Sequence, residues 1–96
     1  MSKQTARIAV SVKVTGRVQG VFFRAETRKA AQLEEVDGYV KNMPDGSVQA
    51  LFQGNREQVE NMVAWCRDGA PLSDVEGVST QPVAVQPEIK GFQIRY

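Results

Sequence analysis

Two stretches of this sequence combine residue types and spacings that can do chemistry. The first is Gly16-Arg17-Val18-Gln19-Gly20-Val21-Phe22-Phe23-Arg24. Two glycines four apart let the backbone curl into conformations that side-chain-bearing residues avoid. A curled loop entering a helix turns several N–H groups inward without carbonyl partners, and the helix dipole adds partial positive charge there. The result is a socket for an anion, most often phosphate. Arg24, near the first turn of that helix, can reach back and clamp two anion oxygens with its planar fork. A plainer reading has Gly16 and Gly20 forming a turn and Arg24 solvated, and a short motif alone does not separate the two.

The second stretch is Gly38-Tyr39-Val40-Lys41-Asn42-Met43-Pro44-Asp45-Gly46-Ser47-Val48, with Gly54 beyond it. A carboxamide offers both a donor and an acceptor. Asn42 can therefore hold a water with its oxygen while its N–H points at a phosphoryl oxygen. An Asn beside Pro-Asp-Gly can equally well satisfy its own backbone in a turn.

The elements that must position these residues follow from periodicity. Arg7 to Thr15 alternates, with Ile8, Val10, Val12 and Val14 on one side, which is a half-buried strand whose other face is wet or partly covered. From Phe22 to Glu34 the composition switches to helix formers, and Phe23, Thr27, Ala30 and either Ala31 or Leu33 share a stripe. Val36 to Asn42 reads as a second strand. Pro44-Asp45-Gly46 is a strong turn signal, so Ser47 to Gln53 is its hairpin partner. Asn55 caps a second helix, with Gln58 completing a capping box. Val59, Met62, Val63 and Cys66 form its core stripe, and Gly69 with Pro71 stops it. A weaker strand from about Val75 to Val85 is interrupted by Gly77 and Pro82, the mark of a bulge or an edge. Phe92, Ile94 and Tyr96 alternate in a short final strand. One domain over residues 1–96 is expected, in the order βαββαβ plus one strand. That order is the ferredoxin-like α+β sandwich, with two helices on one face of a mainly antiparallel sheet. In such a sheet the strands before and after the first helix are expected centrally and side by side, which sets Asn42 beside the anion loop.

Composition excludes several function classes. Twelve Lys and Arg against eleven Asp and Glu leave a net charge of +1, a balance that neither predicts a nucleic-acid binder nor by itself excludes one; no nucleic-acid partner is expected. The strands also offer no aromatic platform for stacking bases, as an RNA-binding sheet of this topology requires. Histidine is absent, which removes the common zinc sites and the Ser/His and Cys/His nucleophile pairs. Cys66 stands alone on a helix core stripe and reads as a small buried hydrophobe. No apolar run approaches a membrane span, and Met1-Ser2-Lys3-Gln4-Thr5 lacks the apolar core of a signal peptide. The expectation is a cytoplasmic protein with no membrane partner; a small, charge-balanced surface points to a monomer.

Together the two stretches resemble the signatures of the acylphosphatase family, and Gly91-Phe92-Gln93-Ile94-Arg95-Tyr96 looks like its closing strand. The resemblance implies hydrolysis of a carboxyl-phosphate mixed anhydride to carboxylate and inorganic phosphate. It implies a small-molecule acyl phosphate as substrate, phosphate as product inhibitor, and neither cofactor nor metal. Carried onto this sequence, the phosphate-binding residues are Gly16, Arg17, Val18, Gln19, Gly20, Val21, Phe22 and Arg24, acting through Arg24 and the backbone amides of roughly Val18 to Phe22. The catalytic pair is Arg24 and Asn42, with Asn42 orienting the attacking water and a phosphate oxygen taking its proton. A non-catalytic anion-binding regulatory domain of the same fold is the alternative. Two departures from the family pattern stand out. Tyr39 takes the place of a common Trp, and Glu34-Glu35 stands where relatives have an apolar residue and Gly. The second either forces a side-chain-bearing residue into the left-handed helix-ending conformation or ends the helix differently.

Overall fold

The computed structural model describes residues 6–96; the reading of Met1 to Thr5 lies outside the described residues. The chain runs β1 (Ile8–Arg17), α1 (Phe23–Glu34), β2 (Asp37–Asn42), β3 (Val48–Gly54), α2 (Arg56–Asp68), β4 (Asp74–Val83) and β5 (Phe92–Arg95). The strands form one sheet in the order β4-β1-β3-β2-β5, antiparallel except for the β2–β5 pair. Both helices pack on one face. This is the ferredoxin-like α+β sandwich with an added parallel edge strand.

The sheet order corrects one expectation. β1 and β2 are not side by side, because β3 lies between them. A tight hairpin forces β3 against β2, with Met43 N–H donating to the Ser47 carbonyl at 2.8 Å. The crossover through α1 therefore skips a place that β3 fills. Because β1 and β2 each run antiparallel to β3, they run parallel to one another and their C-termini emerge at the same end of the sheet. The juxtaposition of the anion loop with Asn42 comes from shared direction, not from pairing.

The core lies between sheet and helices. Val12, Val14, Val40, Val48, Ala50 and Phe52 face Phe23, Ala31, Val59, Met62 and Cys66. On α1 the stripe resolves to Phe23, Thr27 and Ala31, while Leu33 points to solvent. The small Ala31 allows the helix to sit close to the sheet. α2 has the anticipated capping box: the Asn55 side chain accepts from Gln58 N–H, and the Gln58 side chain accepts from Asn55 N–H. β4 starts one residue earlier and ends two residues earlier than the expected Val75 to Val85, and it lies at an edge, where a proline such as Pro82 is tolerated. Its register against β1 shifts between Thr15 and Gly16, which pairs Gly16 with Val75 and leaves Glu76 as the bulged residue.

The opposite face is only partly wet. The connection from β4 to β5 crosses it, so Ile89 and Val85 cover Ala9, Leu51 and Tyr39. Gln53, fully buried there, donates to the Gln86 carbonyl at 2.9 Å and accepts from Gln86 N–H at 3.1 Å. A polar residue in a dry place thus makes the bonds that tie the connection down.

Candidate active site

The site lies where the ends of β1 and β2, the start of α1 and the end of β5 meet. A cleft of about 330 Å³ opens there, lined among others by Gly20, Phe22 and Arg24 from the loop and helix, Asn42 from β2, Ile94 from β5, and Tyr96 just after it. Residues Arg24 and Asn42, eighteen positions apart in the chain, face the same space.

The loop residues divide by role. β1 continues to Arg17, two positions beyond the alternating run, so Gly16 and Arg17 are strand residues paired with Val75 and Asp74 of β4. Neither lines the cleft. Gly16 is required by the bulge: its φ is +116°, and a Cβ would stand 2.3 Å from the Asp74 carbonyl oxygen. Val18 and Val21 anchor the loop in the core, 1% and 5% exposed. Between and after them, Gly20 (φ 76°) and Phe22 (φ 63°) adopt left-handed conformations and curl the chain. Curled backbone of this kind presents successive N–H groups to one side. Among the described residues, the amides of Gln19, Gly20, Val21 and Phe22 donate to no backbone carbonyl.

Gln19 has a task that sequence reasoning missed. Its side-chain N–H groups donate to the carbonyls of Met43 at 2.8 Å and Ser47 at 2.9 Å. This side chain ties the loop to the hairpin and leaves only its backbone amide for an anion. No local pattern announces such a bond, because its acceptors lie 24 and 28 residues away.

The start of α1 differs from that of α2. Phe22, its N-cap, makes no side-chain cap bond, whereas the first-turn amides of α2 are served by Asn55. Open N–H groups and the dipole of α1 therefore point into the cleft region with no internal acceptor to quench them. Arg24, in that first turn, is held at the cleft by the C-terminal strand. Its guanidinium carbon sits 4.8 Å from the Tyr96 ring centroid, and Nη1 donates to the Arg95 carbonyl at 3.4 Å.

Asn42 ends β2, paired with Val48. Its Oδ1 is buried and accepts no hydrogen bond from the described residues. Buried acceptors are nearly always satisfied, so an orphan on a residue that lines the cleft is a candidate place for a donor. Below it, the turn is braced by Asp45, whose Oδ1 accepts from the Ser47 hydroxyl at 2.6 Å and the Ser47 N–H at 2.9 Å. Those bonds, with Lys13 Nζ at 3.0 Å from Oδ2, hold the Asp45 carboxyl well below the usual carboxylate range.

An uncapped helix start, a curled loop with free amides, a guanidinium and an orphaned carboxamide oxygen gather at one cleft, a donor and acceptor set chemically suited to an oxyanion and a water. The acylphosphatase family model matches residues 10–94. The chain belongs to the acylphosphatase family. An acylphosphatase of Natronomonas pharaonis is 49% identical over 90 residues, covering 93% of this chain and 96% of that one. Solved acylphosphatases from Coxiella burnetii and Bacillus subtilis each superpose with a TM-score of 0.88, at 32% and 31% identity. Both cover 93% of this chain, and 93% and 99% of their own. This acylphosphatase is thus a hydrolase, and its substrate is an acyl phosphate. Among the described residues no helix is long and apolar enough to cross a membrane, and no cluster of three or more His, Cys, Asp or Glu is placed to hold a metal ion.

Proposed function

We propose that this acylphosphatase works by substrate-assisted attack of water, with Arg24 and the loop amides from Val18 to Phe22 holding the phosphate and Asn42 holding the water. The observation that carries the reading is the buried Oδ1 of Asn42, which has no partner among the described residues, on a residue that lines the same cleft as Arg24. In the reaction, the water oxygen bonds to phosphorus while the bond from phosphorus to the bridging oxygen breaks. The electron pair leaves with the carboxylate, and the water's proton passes to a phosphate oxygen. Water donates one hydrogen to Asn42 Oδ1, which turns its lone pair toward phosphorus. The side-chain N–H of Asn42 serves a phosphoryl oxygen.

This chemistry asks little of the protein. The departing carboxylate is the conjugate base of an acid with pKa about 4, so it leaves without a general acid. A phosphate oxygen is the base, which is compatible with a chain that contains no histidine. What remains is positioning and charge stabilisation, the two contributions that dominate phosphoryl transfer generally. The reading includes inorganic phosphate as a competitive product inhibitor in the same socket. It also takes the chain as a single-domain, cytoplasmic monomer; the lone, buried thiol of Cys66 suits a reducing compartment.

The test is phosphate release from benzoyl phosphate with chelator present, for the wild type beside Asn42→Ala and Arg24→Ala. Turnover by the wild type, loss of turnover with retained phosphate binding in Asn42→Ala, and loss of both in Arg24→Ala are the expected results. A wild type that binds phosphate but turns over no acyl phosphate would leave an anion-binding regulatory domain in its place.

A further inference from the structure

We propose that Phe22 and Tyr96 form a subsite for the acyl end of the substrate, selecting planar aromatic acyl groups over short aliphatic ones. The inference rests on the mechanism above and extends it from the phosphate to the group the phosphate leaves behind.

Large apolar side chains are normally withdrawn from water, yet Phe22 is 71% exposed and Tyr96 is 96% exposed. Both line the same cleft. Phe22 is held there at φ 63°, a conformation that disfavours a bulky residue and that glycine would adopt freely. A strained, exposed aromatic at the rim of a site has no packing role to explain it. Tyr96 has one face against the Arg24 guanidinium and little else covering it.

The substrate's geometry supplies the occupant. In a mixed anhydride one bridging oxygen separates phosphorus from the acyl carbon. With the phosphate on the loop amides and Arg24, the acyl group has to begin within the same cleft. The exposed or half-buried apolar walls left for it are Phe22, Ala25, Ile94 and Tyr96, of which Phe22 and Tyr96 are the aromatic ones. A ring placed among them gains offset or edge contacts with both aromatics, which a methyl group is too small to span. The cleft volume, about 330 Å³, is at the scale of a small-ligand pocket.

The test compares kcat/KM for benzoyl phosphate and acetyl phosphate in the wild type, Phe22→Ala and Tyr96→Ala. Dividing one substrate by the other cancels any general damage to the socket, and comparing proteins cancels the intrinsic reactivity of each anhydride. The benzoyl-to-acetyl ratio should fall about tenfold in each variant, the factor that loss of a modest apolar contact produces. Calorimetry supplies a readout without turnover: phenylphosphonate should bind the wild type tighter than methylphosphonate, with most of that advantage gone in Phe22→Ala. Tyr96→Ala lies outside the strained loop and keeps the test open if Phe22→Ala folds poorly. A ratio unchanged in both variants overturns the acyl subsite and leaves the acylphosphatase mechanism standing. A wild type inert toward both anhydrides overturns that mechanism, and the subsite with it.

Discussion

Gln19 reaches from the anion loop to the hairpin and donates to the Met43 carbonyl at 2.8 Å, while its second contact goes to Ser47 at 2.9 Å. Met43 is the residue after Asn42, so one carboxamide ties the loop proposed to hold phosphate to the strand end that carries the side chain proposed to hold water. Gln19→Ala should cost about 1–2 kcal/mol of stability, since two part-buried hydrogen bonds are lost while each carbonyl keeps a backbone donor, Gly46 N–H for Met43 and Met43 N–H for Ser47. It should also lower kcat more than it weakens phosphate binding, by about 10²-fold if the two halves of the site drift by an ångström. Gln19→Glu should be worse, because it aims a carboxylate at the same two carbonyls. Chemical denaturation beside steady-state kinetics separates the two effects. A variant with normal kcat would show that the loop holds its place without this tie.

Arg24 is stationed by Tyr96 and Arg95 before any anion arrives. Arg24→Ala should reduce kcat/KM by about 10³–10⁵, the range for a guanidinium that stabilises phosphoryl-transfer charge. Arg24→Lys should recover only a small part, because a point charge cannot make the bidentate clamp or stack on the ring in the same way. Inhibition by inorganic phosphate should weaken in parallel with the rate. If phosphate still inhibited Arg24→Ala at wild-type concentrations, the loop amides alone would be the binding site.

Asn42 should behave differently. Removing one well-aimed polar group from a preorganised site typically costs about 10²–10³ in kcat. Asn42→Ala should show that loss with the phosphate inhibition constant little changed. Asn42→Asp keeps an acceptor for the water but loses the donor to the phosphoryl oxygen and adds like charge, so it should lose phosphate binding as well. Parallel loss of both functions in Asn42→Ala would move Asn42 from holding water to holding phosphate.

What was legible in the sequence was local. The capping box of Asn55 and Gln58, the Pro44-Asp45-Gly46 turn and the stripe of α2 are each set by neighbours a few positions apart. The two motifs were equally readable, because a glycine-rich entry to a helix carries its own backbone logic. What was hidden depends on partners far along the chain. The place of β3 between β1 and β2 is fixed by the whole sheet, not by any one strand. Gln53 looks like a surface residue until the β4–β5 connection is laid over it. Gly16 and Arg17 read as loop because the bulge that keeps them in β1 is made by Glu76, some sixty residues on. The Tyr96 contact with Arg24 gave no signal beyond strand alternation.

The unusual end of α1 is testable for stability alone. Glu35 takes the left-handed cap position (φ 61°, ψ 40°), its N–H reaching the carbonyls of Ala31 and Gln32. A side chain there is strained, so Glu35→Gly should stabilise the fold by up to about 1 kcal/mol and raise Tm by several degrees. Activity should not change, since Glu35 lies at the far end of the helix from Arg24. Gly16→Ala is the contrasting case. Its Cβ would press on backbone atoms at 2.3 and 2.7 Å as well as strain φ, so a loss of about 3 kcal/mol or more is expected. Thermal unfolding of the two variants reads both signs.

Asp45 links the hairpin turn to pH. The Ser47 hydroxyl and N–H, then Lys13, depress its carboxyl in the folded protein relative to the unfolded chain. A depressed carboxyl stabilises the fold above its unfolded pKa, about 3.9, and that stability drains away as pH falls toward the folded value. Asp45→Asn keeps a side-chain oxygen for Ser47 but removes the charge. The Tm difference between wild type and Asp45→Asn should therefore be constant from pH 8 to about pH 5 and shrink progressively below about pH 4. Because Met43 and Ser47, the residues Gln19 holds, flank this turn, acid should also loosen the loop-to-hairpin tie. A Tm difference that persisted unchanged to pH 2 would mean that Asp45 acts through shape and hydrogen bonding alone, with no contribution from its charge.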